Sequence, residues 1–256
     1  MLVMAVANQK GGVGKTTCCV NLSAELGRLG VRTLVVDADP QGNSSSALGI
    51  DRNTLDCSVY DVIAGDMPAS GAVRETQWEN VFLLPATLDL AGAEVELAGA
   101  MSRESRLRRK MADVKGYDIV LIDCPPSLGL LTVNALVASD GIFVPVQCEY
   151  FALEGLGQLL RTMDLVRSYL REDLSLSGLV MTMFDSRTRL SREVVEEVRR
   201  QFGDLVLETV IPRNVKLSEA PSFGRPIGYY DPTSSGAEAF RELAKEVTRK
   251  WLDRKP

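Results

Sequence analysis

The stretch Lys10-Gly-Gly-Val-Gly-Lys-Thr-Thr17 leaves the chain little choice of architecture. It follows a short apolar run, Leu2–Ala7, and opens a segment in which Val20, Leu22, Ala24, Leu26 and Leu29 recur at helical spacing before Gly30. An apolar strand, a glycine-rich loop and a helix in that order make a phosphate-binding loop. Gly11, Gly12 and Gly14 let successive backbone N–H groups around Val13 approach phosphate oxygens, Lys15 supplies a mobile positive charge, and the Thr16 hydroxyl can ligate Mg²⁺. The G-x-x-x-x-G-K-[ST] pattern is met only with its first glycine replaced, and a second lysine, Lys10, stands just ahead of the glycines. A plain phosphate loop has no use for that second lysine.

The rest of the chain keeps the same alternation. Thr33–Val36 is a β-branched run that completes one βαβ unit; Val81–Leu84, Tyr117–Ile122, Gly141–Val146, Leu176–Met183 and Leu205–Ile211 read as further strands. Between them lie helical patterns over Ser58–Gly65, Arg103–Val114, Leu128–Ala138, Leu153–Tyr169 and Arg192–Phe202, with a last helix over Ala237–Trp251. Strands that are apolar at consecutive positions are covered on both faces. The expected fold is therefore α/β: a doubly wound, mostly parallel sheet with helices on both faces, forming a single domain over residues 1–256, with ligands at the carboxyl ends of the strands. Two stretches rich in Gly, Pro, Ser and Asn, Gln41–Cys57 and Pro212–Thr233, are expected to be irregular.

Composition narrows the setting. No run approaches the roughly 18 apolar residues of a membrane-spanning helix, and the apolar start breaks into Asn8-Gln9-Lys10 without a small-residue cleavage site, so the cytoplasm is the expected location. The five cysteines contain no C-x-x-C pair and suggest neither a disulfide framework nor a zinc site. The net charge of −5 argues against a broadly basic surface, yet residues 187–225 carry eight Lys or Arg against six Asp or Glu. An excess that small also describes an ordinary solvated helix face.

Three carboxylates end predicted strands. Asp37 and Asp39, in Val36-Asp-Ala-Asp-Pro-Gln-Gly42, follow the second strand, and Asp123 follows Tyr117–Ile122. Acids in those positions suit phosphoryl transfer, in which Mg²⁺ neutralises phosphate charge and a carboxylate orients or deprotonates the attacking water. The alternative for the first pair is a turn over Asp39-Pro-Gln-Gly with Asp37 as a helix-capping acid.

Taken together, Lys10–Thr17, Val36–Gly42, Ile122-Asp-Cys-Pro-Pro-Ser127, Pro145–Tyr150, Ile211-Pro-Arg-Asn214, Val215-Lys-Leu-Ser-Glu-Ala-Pro221 and Tyr230-Asp-Pro232 resemble the ParA/Soj chromosome-partitioning ATPases, within the deviant Walker A group that includes MinD. The resemblance covers essentially the whole chain. It implies ATP and Mg²⁺ as cofactors and a homodimer that closes around ATP, with Lys10 crossing to the partner's nucleotide. It further implies that Lys15 and Gly11–Thr17 hold the phosphates, that Thr16 binds Mg²⁺, and that Asp39 positions the hydrolytic water. Asp123 becomes an acid acting on Mg²⁺ through water, and Asp37 a support of that network. Pro212, Asn214 and Asp231 match adenine-side segments; Arg187 and Lys216 match positions implicated in nonspecific double-stranded DNA binding. Lys216 stands where relatives often carry arginine, so a planar bidentate fork is exchanged for a point charge.

The implied function is DNA segregation on the nucleoid: an ATP dimer binds DNA without sequence preference, and a ParB-type centromere-binding partner accelerates hydrolysis. The phosphate loop begins almost at Met1, so no preceding helix-turn-helix domain is expected. The alternative, a MinD-like positioning ATPase on a membrane, needs an amphipathic carboxyl-terminal tail, whereas only Leu252–Pro256 follow the last predicted helix. No membrane partner is therefore expected. A cluster-carrying relative would need paired cysteines.

Overall fold

The computed structural model describes residues 1–253, so Arg254, Lys255 and Pro256 of the short tail lie outside the described residues. Eight strands form one sheet: β1 (Leu2–Val6), β2 (Thr33–Asp37), β3 (Arg74–Glu75), β4 (Val81–Leu84), β5 (Ile119–Asp123), β6 (Gly141–Gln147), β7 (Ser175–Phe184) and β8 (Val206–Pro212). Their order is β3-β4-β2-β5-β1-β6-β7-β8. Every pairing is parallel except that of the two-residue edge strand β3 with β4.

Side-chain alternation divides the core into two layers. Val3, Ala5 and Ala7 enter one with Leu34, Val36 and Ile122, while Met4 and Val6 enter the other with Val35, Leu121 and Phe143. Apolar faces of the helices Val59–Ile63, Leu90–Glu96, Leu130–Ala138, Ala152–Tyr169 and Arg189–Phe202 close the first layer. The helices Lys15–Arg28 and Ser235–Val247 close the second. Burial on both sides is why these strands read as unbroken apolar runs, and the doubly wound, mostly parallel sheet is borne out. Among the described residues no helix is long and apolar enough to cross a membrane.

Several boundaries differ from expectation. The charged segment expected as one helix over 103–114 is three short pieces, Arg103–Ser105, Arg106–Lys110 and Met111–Asp113. The Leu107 N–H leaves the helical ladder for the Asn134 side chain at 3.1 Å, although Leu107 and Met111 both point inward. The two stretches expected to be irregular contain short helices, among them Asn43–Ala47, Val215–Glu219 and Ile227–Tyr230. The helix Leu90–Glu96 and strand β3 are too short, or too rich in alanine and glycine, to show a period in the sequence. β2 and β5 run one residue further than expected and take Asp37 and Asp123 into the sheet.

Candidate nucleotide site

β1 lies between β5 and β6, with β2–β5 wound to one side and β6–β8 to the other. A crevice opens where the winding direction reverses, and the loop leaving β1 sits there. Gly12 and Gly14 hold φ of 73° and 96°, a backbone region that L side chains rarely adopt. Gly14 is the N-cap of the helix Lys15–Arg28 and offers no side-chain acceptor, so the first-turn N–H groups remain for a ligand. Two ties fix the loop. Thr182 Oγ1 of β7 donates to the Val13 carbonyl at 2.8 Å, and Asn8 Nδ2 donates to the Pro145 carbonyl of β6 at 2.7 Å.

Lys15 is buried, with its ammonium 3.4 Å from the Lys10 carbonyl. Desolvation lowers its pKa, while the nearby carboxylates of Asp123 and Asp39 partly restore it. Asp37 and Asp123 are paired residues of β2 and β5, and both are fully buried. Asp123 Oδ2 accepts hydrogen bonds from Thr16 Oγ1 and Ser44 Oγ, each at 2.7 Å, whereas its buried Oδ1 has no partner. Asp37 Oδ2 accepts from Ser45 N at 2.8 Å and Ser45 Oγ at 2.7 Å. Burial raises both carboxyls above the usual aspartate range; next in size come a negative neighbour, Asp123, for Asp37 and hydroxyl bonds that oppose the rise for Asp123.

This donor set fits magnesium. The Thr16 hydroxyl is bonded to Asp123, whose other carboxylate oxygen is buried without a partner, so the two residues offer hard oxygen donors side by side. Mg²⁺ ordinarily takes only one or two protein ligands and completes its shell with phosphate and water. Among the described residues no group of three or more His, Cys, Asp or Glu is placed to hold a metal.

Two adjoining cavities share Gly14, Thr17 and Met183. The first, about 330 Å³, is lined by Gly11, Gly12, Lys15, Thr16, Asp39 and Gln41. Asp39, a lining residue of that cavity, accepts from Gln41 N at 2.9 Å through Oδ1. The second, about 370 Å³, is lined by Cys18, Thr182, Ile211, Pro212, Arg213, Asn214 and Leu217. Asn214 is itself engaged, donating to Ser235 Oγ at 2.9 Å and accepting from Lys216 N at 2.8 Å. Asp231 lines neither cavity; its carboxylate turns back to Thr233 N and Oγ1.

Lys10 lines neither of these two cavities and pairs instead with Glu149 at 3.0 Å. Arg187, 85% exposed, forms a two-pronged pair with Asp185 just beyond β7. Lys216, in the short helix after β8, pairs with Glu219 at 2.8 Å and lies over the Tyr230 ring. All five cysteines are buried and free. Ser44, Ser45, Thr182 and Met183 escape sequence reasoning: the serines look like turn residues, and Met183, with φ of 53°, carries no local signal.

A family model described as an AAA domain matches residues 1–176. The sporulation initiation inhibitor protein Soj of Bacillus subtilis is 55% identical over 246 residues, 96% of this chain and 97% of that protein. The chromosome partitioning protein ParA of Caulobacter vibrioides is 49% identical over 255 residues, 98% and 96% of the two chains. Among solved structures, cobyrinic acid a,c-diamide synthase from Mycobacterium smegmatis with bound ATP analog and magnesium superposes with a TM-score of 0.85 at 43% identity, covering 100% of this chain and 97% of that one. Identity of this order, sustained over nearly the full length of both proteins, means that the chain belongs to the ParA/Soj family of chromosome-partitioning ATPases.

Proposed function

We propose that the chain is an ATP-gated DNA-segregation switch. ATP lies across the two cavities, its phosphates on Gly11–Thr17 and its base against Pro212–Asn214. Thr16, and Asp123 through water, would hold Mg²⁺, which would neutralise phosphate charge there. Support comes from the paired cavities, from the buried acids beside Thr16, and from a 43%-identical structure solved with an ATP analog and magnesium. Lys15 draws the phosphate oxygens into the buried end of the loop. Asp39, across the same cavity, holds the attacking water in line and accepts its proton.

The observation that carries the dimer reading is the divergence of the two lysines. Lys15 turns into the chain's own cavity and Lys10 turns away from it. A second cation that does not serve its own site is available to the nucleotide of a second copy, and Gly11, with open space where a Cβ would stand, lets the two loops approach. Arg187 and Lys216, both beyond the carboxyl ends of the last two strands, supply phosphate contacts to double-stranded DNA, which need charge but no base readout. A ParB-type protein speeds hydrolysis, and the dimer then leaves the nucleoid.

Size-exclusion chromatography with light scattering tests this reading on Asp39→Ala, in ATP and in ADP, with and without DNA. A dimer in ATP that retains DNA, with a monomer in ADP, is expected. Equal mass and equal DNA binding in the two nucleotides would overturn it.

A further inference from the structure

Glu149 stands at the meeting point of the loop lysine and the base-side cavity. Its Oε2 holds Lys10 Nζ at 3.0 Å; its Oε1 accepts from Gln147 Nε2 at 2.5 Å and lies 3.6 Å from the Arg213 guanidinium. The Lys10 backbone is separately anchored, its N–H donating to Asn8 Oδ1 at 3.1 Å, and Asn8 is fastened to β6. The backbone of the loop is thus fixed while the lysine side chain is held by one carboxylate. Arg213 is also a wall of the base-side cavity.

We propose that Glu149 is a catch that keeps Lys10 on its own subunit until the dimer closes, an inference that rests on the reading that Lys10 reaches the partner's nucleotide. One ammonium at this distance from Glu149 cannot also extend across a dimer face, so closure requires the pair to open. The pair is partly exposed, 32% for Lys10 and 43% for Glu149. A pair of that kind biases the lysine by at most about fivefold, and a threefold bias lies inside that range. The bias nevertheless matters, because a sandwich needs both lysines free. A dissociation constant that carries the competent fraction of each subunit carries it squared, so a roughly threefold bias per subunit becomes about tenfold on the dimer. Glu149 is on this account a positioning residue: it touches neither phosphate nor water and acts through Lys10.

The test compares wild type, Glu149→Gln and the double variant Lys10→Ala/Glu149→Gln. Nucleotide-free protein is acetylated with N-hydroxysuccinimidyl acetate, and the rate at Lys10 is read by peptide mass spectrometry with Lys115 as internal reference. Glu149→Gln is expected to raise the Lys10 rate about threefold. In sedimentation velocity with ATP, it is expected to dimerise at about tenfold lower protein concentration than wild type. That gain should be absent in the Lys10→Ala background, and no variant should dimerise in ADP. Unchanged Lys10 reactivity, dimerisation no better than wild type, or a gain that survives loss of Lys10 would each overturn the catch. If Lys10 reactivity rises while no chain dimerises in ATP, the sandwich reading itself fails and takes the catch with it.

Discussion

Ser44 and Ser45, neighbours in one short helix, hold different acids: Ser44 donates to Asp123 on β5 and Ser45 to Asp37 on β2. Since Asp37 and Asp123 are partners in the ladder, the helix Asn43–Ala47 is clamped across both strand ends. The chain from Asp39 to Gly42 has little freedom between the two clamps, and the Asp39 carboxylate takes its direction from that constraint.

The buried charge of Asp37 has a pH signature. Burial and Asp123 raise this carboxyl to about 7, against about 4 in an unfolded chain. A carboxyl raised in the folded state favours folding fully below pH 4, and that contribution is lost as pH rises through 7. Asp37→Asn should therefore raise the unfolding temperature of nucleotide-free, metal-free protein at pH 8 and change it little below pH 4. Thermal melts of both proteins across that range decide it; an equal shift at both ends contradicts a buried charge.

The two loop lysines should fail in different ways. Losing one charge-assisted contact of about 1.5–3 kcal/mol weakens binding roughly ten- to a hundredfold. Lys15→Ala is expected to lose nucleotide affinity by that factor. Lys10→Ala should keep nucleotide affinity close to wild type, because Lys10 lines neither cavity, yet lose ATP-dependent dimerisation. Titration with a fluorescent ATP analogue beside sedimentation separates the two; if both properties fall together in Lys10→Ala, Lys10 serves its own pocket.

Arg187→Glu should leave stability within about 0.5 kcal/mol, as for exposed positions generally, and leave the ATP dimer intact. DNA binding should drop sharply. The milder Arg187→Ala is the quantitative probe: removing one phosphate-binding cation from each subunit of the dimer flattens the slope of log K against log salt by about two. Filter binding over a salt series measures it, and an unchanged slope removes Arg187 from the DNA surface.

Glu246 guards the open edge of the sheet. Its buried carboxylate accepts from Glu208 N at 2.7 Å and Thr209 N at 2.9 Å on the outermost strand. Glu246→Ala orphans both N–H groups and should cost about 2–4 kcal/mol, while also exposing a strand to pairing with another chain. Urea unfolding and light scattering on heating report the two effects. Glu246→Gln, which keeps one acceptor, should fall between.

Part of this site is legible in the sequence for definite reasons. Asp37, Asp39 and Asp123 announce themselves because each follows an apolar run, and parallel strands end together at one sheet margin. Ser44 and Ser45 are hidden because hydroxyl residues after Asp-Pro-Gln-Gly read as a turn; only the folded sheet reveals which acids they meet. The Lys10–Glu149 pair joins residues 139 apart, a separation on which no local period bears. Asp231 shows the converse: it sits in a recognisable motif, but its carboxylate is taken up by the turn it begins.

The bond from Thr182 to Val13 joins elements that are not neighbours in the sheet, since β6 lies between β1 and β7. Five residues beyond Thr182 the same chain reaches Arg187. Phosphate grip and outer cation are thus joined by a short run of chain that bends at Met183 and turns at Ser186 and Arg187.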